Sequence, residues 1–482
     1  MMSHPEYEIV VGLEVHAQLL TNSKLFCGDS IAFGAAPNTN VSPVTLAHPG
    51  TLPVMNHRAI ELAVRIGLAC NCTIEQHNYF ARKNYFYPDL PKGYQISQHT
   101  TPICGGGEVR ISVSGEEKTI RLNRIHLEED AGKSIHDANP DFTAVDLNRA
   151  GTPLVEIVSE PDIRSSDEAF AYLTVLRQWV RYLEVCDGNM EEGSLRCDAN
   201  ISVRKKGDTR LGTKVEVKNL NSIRNVKRAI DAEAVRLTAM LENGETIIQQ
   251  TRGFDVNSGT TYAIRDKEDA DDYRYFADPD LTPFVLETAE IDRIREALPA
   301  LPEARILHYT QALGLTEYDA GVLTEERNFA EYFESVTQHT TYYKSAANWM
   351  LGPVKSWLNE PGRQLANFPL APAKLAALLE CVEKGQLSFS IASSRLFEKL
   401  LDQPDAEPLE LARSLNLLQD SDASSLEPVI DAVLAKFPDK VEAYRKGKKG
   451  LLALFVGEVM KQSRGKADPR VTNELLLEKL KS

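Results

Sequence analysis

Alternation of apolar and polar positions is clearest at the start of the chain. From Tyr7 to Gln18, Ile9, Val11, Leu13 and Val15 alternate with Val10, Gly12, Glu14 and His16, which predicts a strand. Lys118 to Leu122 and Leu154 to Val158 read as further strands, the second with Glu156 in the middle of an apolar run. Arg196, Asp198, Asn200 and Ser202 alternate with Cys197, Ala199, Ile201 and Val203. Lys214, Glu216 and Lys218 alternate with Val215 and Val217. Helical spacing separates these strands. Asn56 caps a helix to about Cys70, with Ile60, Ala63, Val64, Gly67 and Leu68 inward. Ser165 and Glu168 have capping-box spacing and open a helix through Glu184, with Phe170, Leu173, Leu176, Val180 and Leu183 inward. Asn221 or Ser222 caps a third, running to about Met240.

This pattern predicts an α+β region over residues 1–290. From Ile291 onward helical periodicity dominates, and breaks around Asp402 to Pro408 divide it into a helical domain, 291–405, and a smaller helical tail, 406–482.

Composition narrows the class. The chain has 482 residues, enough for two to four domains, and is 43% hydrophobic. No run approaches the roughly 18 apolar residues of a membrane span, and the N-terminus lacks a signal-peptide pattern. Seven cysteines without regular spacing predict a reducing, cytoplasmic setting and no disulfide framework; Cys70 and Cys72, among apolar neighbours, read as core. A net charge of −15 argues against wrapping long stretches of nucleic acid, yet allows a local basic patch for one folded RNA; no DNA partner is expected. Between Arg445 and Arg470 lie eight Lys or Arg against Glu458 and Asp468, a candidate for that patch. A solvated helix face has the same pattern.

Candidate chemistry gathers in Leu122–Ser134, which packs His126, Glu128, Glu129, Asp130 and Lys133 into eight residues. Adjacent carboxylates repel unless cations share them, so the stretch fits a Mg²⁺ and phosphate site at a strand end as well as a charged, solvated turn. Gly132-Lys133-Ser134 resembles the end of a P-loop, but the glycine needed five positions earlier is Leu127, so ATP would be handled through carboxylates and metal. Glu14 and His16 share one strand face, and Glu156 needs a cation or hydrogen bonds in its apolar strand. From Tyr79 to Tyr94, Tyr79, Phe80, Tyr85, Phe86, Tyr87 and Tyr94 interleave with Arg82, Lys83 and Lys92, a pattern suited to stacking unpaired bases or to a tyrosine-rich core edge.

Several stretches coincide with one family. Gly12–His16, Arg82–Asp89, Glu128–Ser134, Asp146–Arg149, Gly151–Leu154, Met190–Asn200, Lys218–Ser222 and Asp272–Phe276 resemble the B subunits of the aspartyl/glutamyl-tRNA(Asn/Gln) amidotransferases, in order and over nearly the whole chain. The resemblance implies a mixed-sheet cradle domain ahead of the helical domains. It implies a ligase that uses ATP to phosphorylate the side-chain carboxylate of mischarged Glu-tRNA(Gln) or Asp-tRNA(Asn), then amidates it with ammonia from a partner glutaminase, the A subunit. A small C subunit completes the assembly. On this view Glu14, His16, Glu128, Glu129, Glu156, Asp198 and Asn200 ligate Mg²⁺, Glu129 being the stronger of the adjacent pair, and Lys133 and Arg149 steady phosphate. Lys83, Tyr85, Tyr87, Lys92 and Arg196 hold nucleotide or acceptor end. Arg445, Lys446, Lys448, Lys449, Lys461, Arg464 and Lys466 contact the tRNA body. Some members carry a four-cysteine zinc site; here Cys27 is followed by Asp29, Ser42 and Thr45 at the aligned positions, so zinc is not expected. A non-catalytic tRNA-binding scaffold has no need of Glu128, Glu129 and Glu156 near an anionic RNA. A self-contained ligase would need a glutamine-hydrolysing constellation, which the chain lacks.

Overall fold

A computed structural model describes residues 5–135, 141–266, 273–419, 423–463 and 466–481. The chain forms two compact units, Met1–Leu301 and Pro302–Ser482.

The first unit is built on a thirteen-stranded sheet. Its principal strands are β1 (Tyr7–Gln18), β2 (Ala81–Asn84), β3 (Tyr94–Ser97), β4 (Glu116–Glu129), β5 (Pro153–Ser159), β6 (Leu195–Lys205), β7 (Val215–Leu220), β8 (Gln250–Asp255), β9 (Thr260–Asp266) and β10 (Phe276–Ala277). They run side by side in the order β9-β8-β7-β6-β1-β5-β4-β3-β2-β10. Neighbours pair antiparallel except β7 and β8, which are parallel. The long central strand β1 matches the alternation that predicts it, whereas β4 is far longer than Lys118–Leu122 and carries His126 and Glu128 within the ladder.

One face of the sheet is apolar. Leu13 and Val15 of β1, Ile125 and Leu127 of β4, Val155 and Ile157 of β5, Ala199 and Ile201 of β6, and Val215 and Val217 of β7 are all buried in one cluster. Helices α1 (His57–Ala69), α2 (Ser166–Tyr182) and α3 (Ile223–Glu242) join the same cluster. Each fully buried Leu, Ile or Val contributes about 1.5–3 kcal/mol, so this layer fixes which face stays open. The helices start where hydroxyl or amide caps satisfy the first free N–H groups. Asn56 accepts from the Arg58 amide, Ser165 from Glu168 and Ser222 from Asn225, which assigns the third cap to Ser222. Glu168 departs from the capping box: its carboxylate accepts from the Arg164 amide at 2.7 Å and pairs with Lys118. The phase of α2 also differs from expectation. Phe170 is exposed, and Tyr172 and Trp179 are buried instead.

Helix α4 (Thr288–Glu296) buries Ile291 and Ile294 in the first unit's core, so the helical character that begins near Ile291 does not start a new core there. The second unit is helical and contains two separate apolar clusters. One runs from Tyr309 to Leu417 around Trp349 and Phe333; the other, Leu426 to Leu480, includes Phe455, Val459 and Leu476. Among the described residues no helix is long and apolar enough to cross a membrane.

Candidate functional site

Because side chains alternate along strands, the residues between the core positions share the open face. Strand register then lines them up. His16 of β1 is opposite Glu156 of β5, and Glu156 is opposite His126 of β4. His16 Nε2 lies 3.4 Å from Glu156 Oε2 and 3.8 Å from Glu128 Oε1. His126 Nε2 lies 3.4 Å from Glu156 Oε2 and 3.6 Å from Glu128 Oε2. Two imidazoles thus bracket two carboxylates.

Charge follows geometry here. Burial disfavours the imidazolium forms, but the charge of Glu156, with help from Glu128, outweighs it: the pKa of His16 is raised, and that of His126 is pushed up to about 9. Burial likewise opposes ionisation of Glu156, yet the two imidazoles hold its pKa well below the ordinary range.

A second acidic group lies on the same face. Glu14, Asp198 and Glu216 bring one carboxylate oxygen each to within 4.8 Å of one another, as do His16, Glu128 and Glu156 with one ligand atom each. Lys218 Nζ reaches Asp198 and Glu216, both at 3.1 Å, and Thr251 donates to Glu216 at 3.0 Å. Burial and then the nearby Glu156 raise the pKa of Glu14. Asn200 donates its amide to Glu14 Oε1 at 2.8 Å, so it reaches this group by orienting Glu14.

The structure separates the adjacent glutamates. Glu128 faces the imidazoles. Glu129 turns away, pairs with Lys92 at 2.6 Å and accepts from the Ile96 amide at 2.8 Å. Strand alternation thus aims Glu128, and not the expected Glu129, at His16. Arg149 also differs from its expected role. Its guanidinium donates to the carbonyls of Ala131 (2.9 Å) and Gly132 (2.6 Å), so it braces the turn. Gly132 is needed for close approach, since a Cβ there would lie 2.9 Å from the Asp146 carbonyl. Asp130 is buried beside Arg196 at 2.9 Å and accepts from Gln18 at 2.8 Å. Burial alone would raise its pKa, but Arg196 and then Arg149 hold it low. Lys133 is exposed on the short strand Lys133–Ile135.

Beyond β4 the aromatic residues form a connected patch. Tyr85 meets Tyr87 and Tyr273 edge-on, Tyr273 meets Tyr275, and His99 stacks on Tyr275 with ring centres 4.0 Å apart. Lys83 Nζ lies 4.8 Å from the Tyr273 ring centre. Burial, followed by the charges of Glu128 and Glu156, raises the Tyr275 hydroxyl to about 12. The expected ligand set leaves out His126, although it lies in the stretch where candidate chemistry gathers, and Glu216. Their signal is the period-two spacing to Glu128 and Lys218, the same spacing that joins Glu14 to His16.

The positions aligned with a zinc site also converge. Asp29 Oδ2 accepts from the Ser42 amide at 2.7 Å and Thr45 Oγ1 at 2.5 Å, while Cys27 Sγ lies 3.4 Å from that hydroxyl. In the helical tail, Arg445 reaches the Lys479 carbonyl, Lys446 pairs with Glu442, Lys449 lies over Tyr444, and Lys448 and Lys461 are exposed. Lys466 is half-buried, and Arg464 lies outside the described residues.

The sequence is similar to those of known proteins. Residues 9–292 match the GatB/GatE catalytic domain, and residues 331–480 match the GatB domain. The chain is 52% identical over 478 residues to the aspartyl/glutamyl-tRNA(Asn/Gln) amidotransferase B subunit of Geobacter sulfurreducens, covering 98% of this chain and 99% of that protein. Identity to the protein of the same name is 51% over 475 residues in Chlorobium chlorochromatii, covering 98% of this chain and 99% of that one. It is 51% over 479 residues in Alkalilimnicola ehrlichii, covering 99% and 100%.

The donor sets make two outcomes measurable. A divalent cation on His16 must displace the proton that Glu156 and Glu128 help it hold, so binding releases protons and tightens as pH rises. Calorimetric titration with Mn²⁺ or Mg²⁺ in buffers of different ionisation enthalpy reads this directly; pH-independent binding without proton release would refute it. With a single thiol among Cys27, Asp29, Ser42 and Thr45, metal analysis of the purified protein is expected to find no stoichiometric zinc. A one-to-one zinc that survives chelation would show the ligand set to be misread.

Proposed function

The chain belongs to the family of aspartyl/glutamyl-tRNA(Asn/Gln) amidotransferase B subunits, and we propose from that premise how its open sheet face does the family's work. The protein is one component of a tRNA-dependent amidotransferase, a ligase for which ATP is a substrate. In our reading, a mischarged Glu-tRNA(Gln) or Asp-tRNA(Asn) presents its side-chain carboxylate to this face. A carboxylate oxygen attacks the γ-phosphorus of ATP and ADP leaves. Ammonia then attacks the acyl carbon, phosphate departs, and one proton is lost as the amide forms. We assign the ammonia to a partner glutaminase, the A subunit, and place both in a cytoplasmic assembly completed by a small C subunit.

The observation that carries this reading is the pair of three-donor groups on one sheet face. Their donors are carboxylate oxygens and one imidazole, a set suited to Mg²⁺. His16, Glu128 and Glu156 would hold one cation, and Glu14, Asp198 and Glu216 a second. Mg²⁺ held there would offset the negative charge that the carboxylate and the ATP phosphates bring together.

The chain's own side chains supply position. Asn200 orients Glu14, Lys218 balances Asp198 and Glu216, and His126 braces Glu128 and Glu156 from behind. Lys83, Tyr85, Tyr87, Tyr273 and Tyr275 offer ring faces and charge to an unpaired acceptor end. Arg196, fixed by Asp130 but still partly exposed, and exposed Lys133 offer charge to phosphates. Lys92 is tied to Glu129, so this pair sits at the edge of the site rather than among the metal donors. The basic residues of the tail would meet the tRNA body.

Single-turnover amide formation with mischarged tRNA, ATP and free ammonia tests the site. His16→Ala and Glu128→Gln are expected to slow it roughly 10²–10³-fold, the usual cost of losing a charge-stabilising group, with tRNA binding nearly intact. Wild-type rates for both across a Mg²⁺ titration would place the chemistry elsewhere.

The tail is tested by charge removal. Cutting the chain at Ala406 would take Ala412 and Leu417 out of the preceding core, so substitutions are cleaner. Arg445→Ala, Lys448→Ala and Lys449→Ala together are expected to weaken tRNA binding and flatten its salt dependence. Each lost phosphate contact is worth a slope of roughly 0.9 on duplex DNA. An unchanged slope would remove the tail from the interface.

A further inference from the structure

The open face does not end at the second acidic group. Two strands further out it carries an aromatic ring with no part in metal or acceptor-end binding. Lys218 of β7, which reaches Asp198, is the register partner of Gly253 on β8. Gly253 is in turn the partner of Tyr262 on β9. Thr251, two residues before Gly253, donates to Glu216, so Gly253 points to the same open face. Arg252 points the other way, to Glu233 of α3, and Phe254 packs against the apolar core.

The ring of Tyr262 lies across Gly253. A Cβ at that position would stand 2.5 Å from Tyr262 Cζ and 2.6 Å from its hydroxyl oxygen. Glycine therefore lets the ring rest over the neighbouring strand, toward the acidic groups. It remains 54% exposed. At about 4.8 Å per strand, Gly253 is roughly 10 Å from Asp198 across the sheet. This is a separation that ribose and phosphates can fill when the terminal phosphate sits among the carboxylates and Lys218.

We propose that Tyr262, laid over Gly253, is the platform on which the adenine of ATP stacks. The assignment rests on the reading of the acidic groups as the phosphate end of the ATP site. It also divides the face between the two substrates. The Tyr85–Tyr275 patch lies on the β4 side of the carboxylates and Tyr262 on the β8 side, so acceptor end and nucleotide approach the reacting centre from opposite flanks. An exposed tyrosine ring offers a flat surface to a base, and each stacked base is commonly worth a five-fold or larger effect on affinity.

The test uses the reconstituted amidotransferase complex and two readouts. One is ATP affinity by equilibrium dialysis without tRNA; the other is the KM for ATP with mischarged tRNA and free ammonia. Tyr262→Ala is expected to raise both the Kd and the KM about tenfold. It should affect CTP less, because a pyrimidine overlaps the ring less, and so narrow the preference for ATP. Tyr262→Phe keeps the ring and should keep wild-type affinity. Gly253→Ala should displace the ring and shift affinity in the same direction as Tyr262→Ala. A Tyr262→Ala complex whose ATP affinity stays within twofold of wild type would overturn this assignment alone. So would an effect confined to the KM for mischarged tRNA. A wild-type complex that binds no ATP would overturn the assignment together with the ATP-site reading beneath it.

Discussion

Glu156 between two imidazoles is the interaction on which this site depends. A carboxylate in the middle of an apolar strand is expensive to bury alone. Here His16 and His126 stand on the strands to either side and hold it ionised. Glu128 faces the same two rings. Burial opposes the imidazolium form of both histidines, and the neighbouring carboxylates outweigh it.

This depends on the rigid layer beneath. The helices α1, α2 and α3 bury the opposite face of the same strands, and the apolar residues that alternate with the site residues are almost completely inaccessible. A one-residue slip of any central strand would put its carboxylates into that core. The core therefore sets the register, and the register sets the rows His16–Glu156–His126 and Lys218–Gly253–Tyr262. Position on such a frame is most of what phosphoryl transfer asks of a protein.

The flanks are built from other elements. The aromatic patch draws Tyr85 and Tyr87 from the turn after β2, His99 from just past β3, and Tyr273 and Tyr275 from the segment before β10. The turn after Glu129 is pinned by Arg149 and by the tight seat of Gly132. A residue expected to bind phosphate directly thus holds the backbone that shapes the pocket. The charge of a motif does not by itself distinguish a group that touches substrate from one that braces a loop.

Much of the local structure could be read from the chain alone, because local structure answers to local pattern. Period-two alternation identified β1, β6 and β7 and paired Glu14 with His16, Asp198 with Asn200 and Glu216 with Lys218 on their faces. Asn56, Ser165 and the pair Asn221-Ser222 marked helix starts, since a free amide needs an acceptor within three residues. Ordered motifs marked the family. What the chain could not state was the pairing between strands far apart in sequence. The choice of Glu128 over Glu129, the place of His126 behind Glu156, the recruitment of Glu216 and the ring of Tyr262 over Gly253 all follow from register across several strands. Register is settled by long-range packing of the apolar face, and alternation within one strand carries no record of which neighbour it will meet.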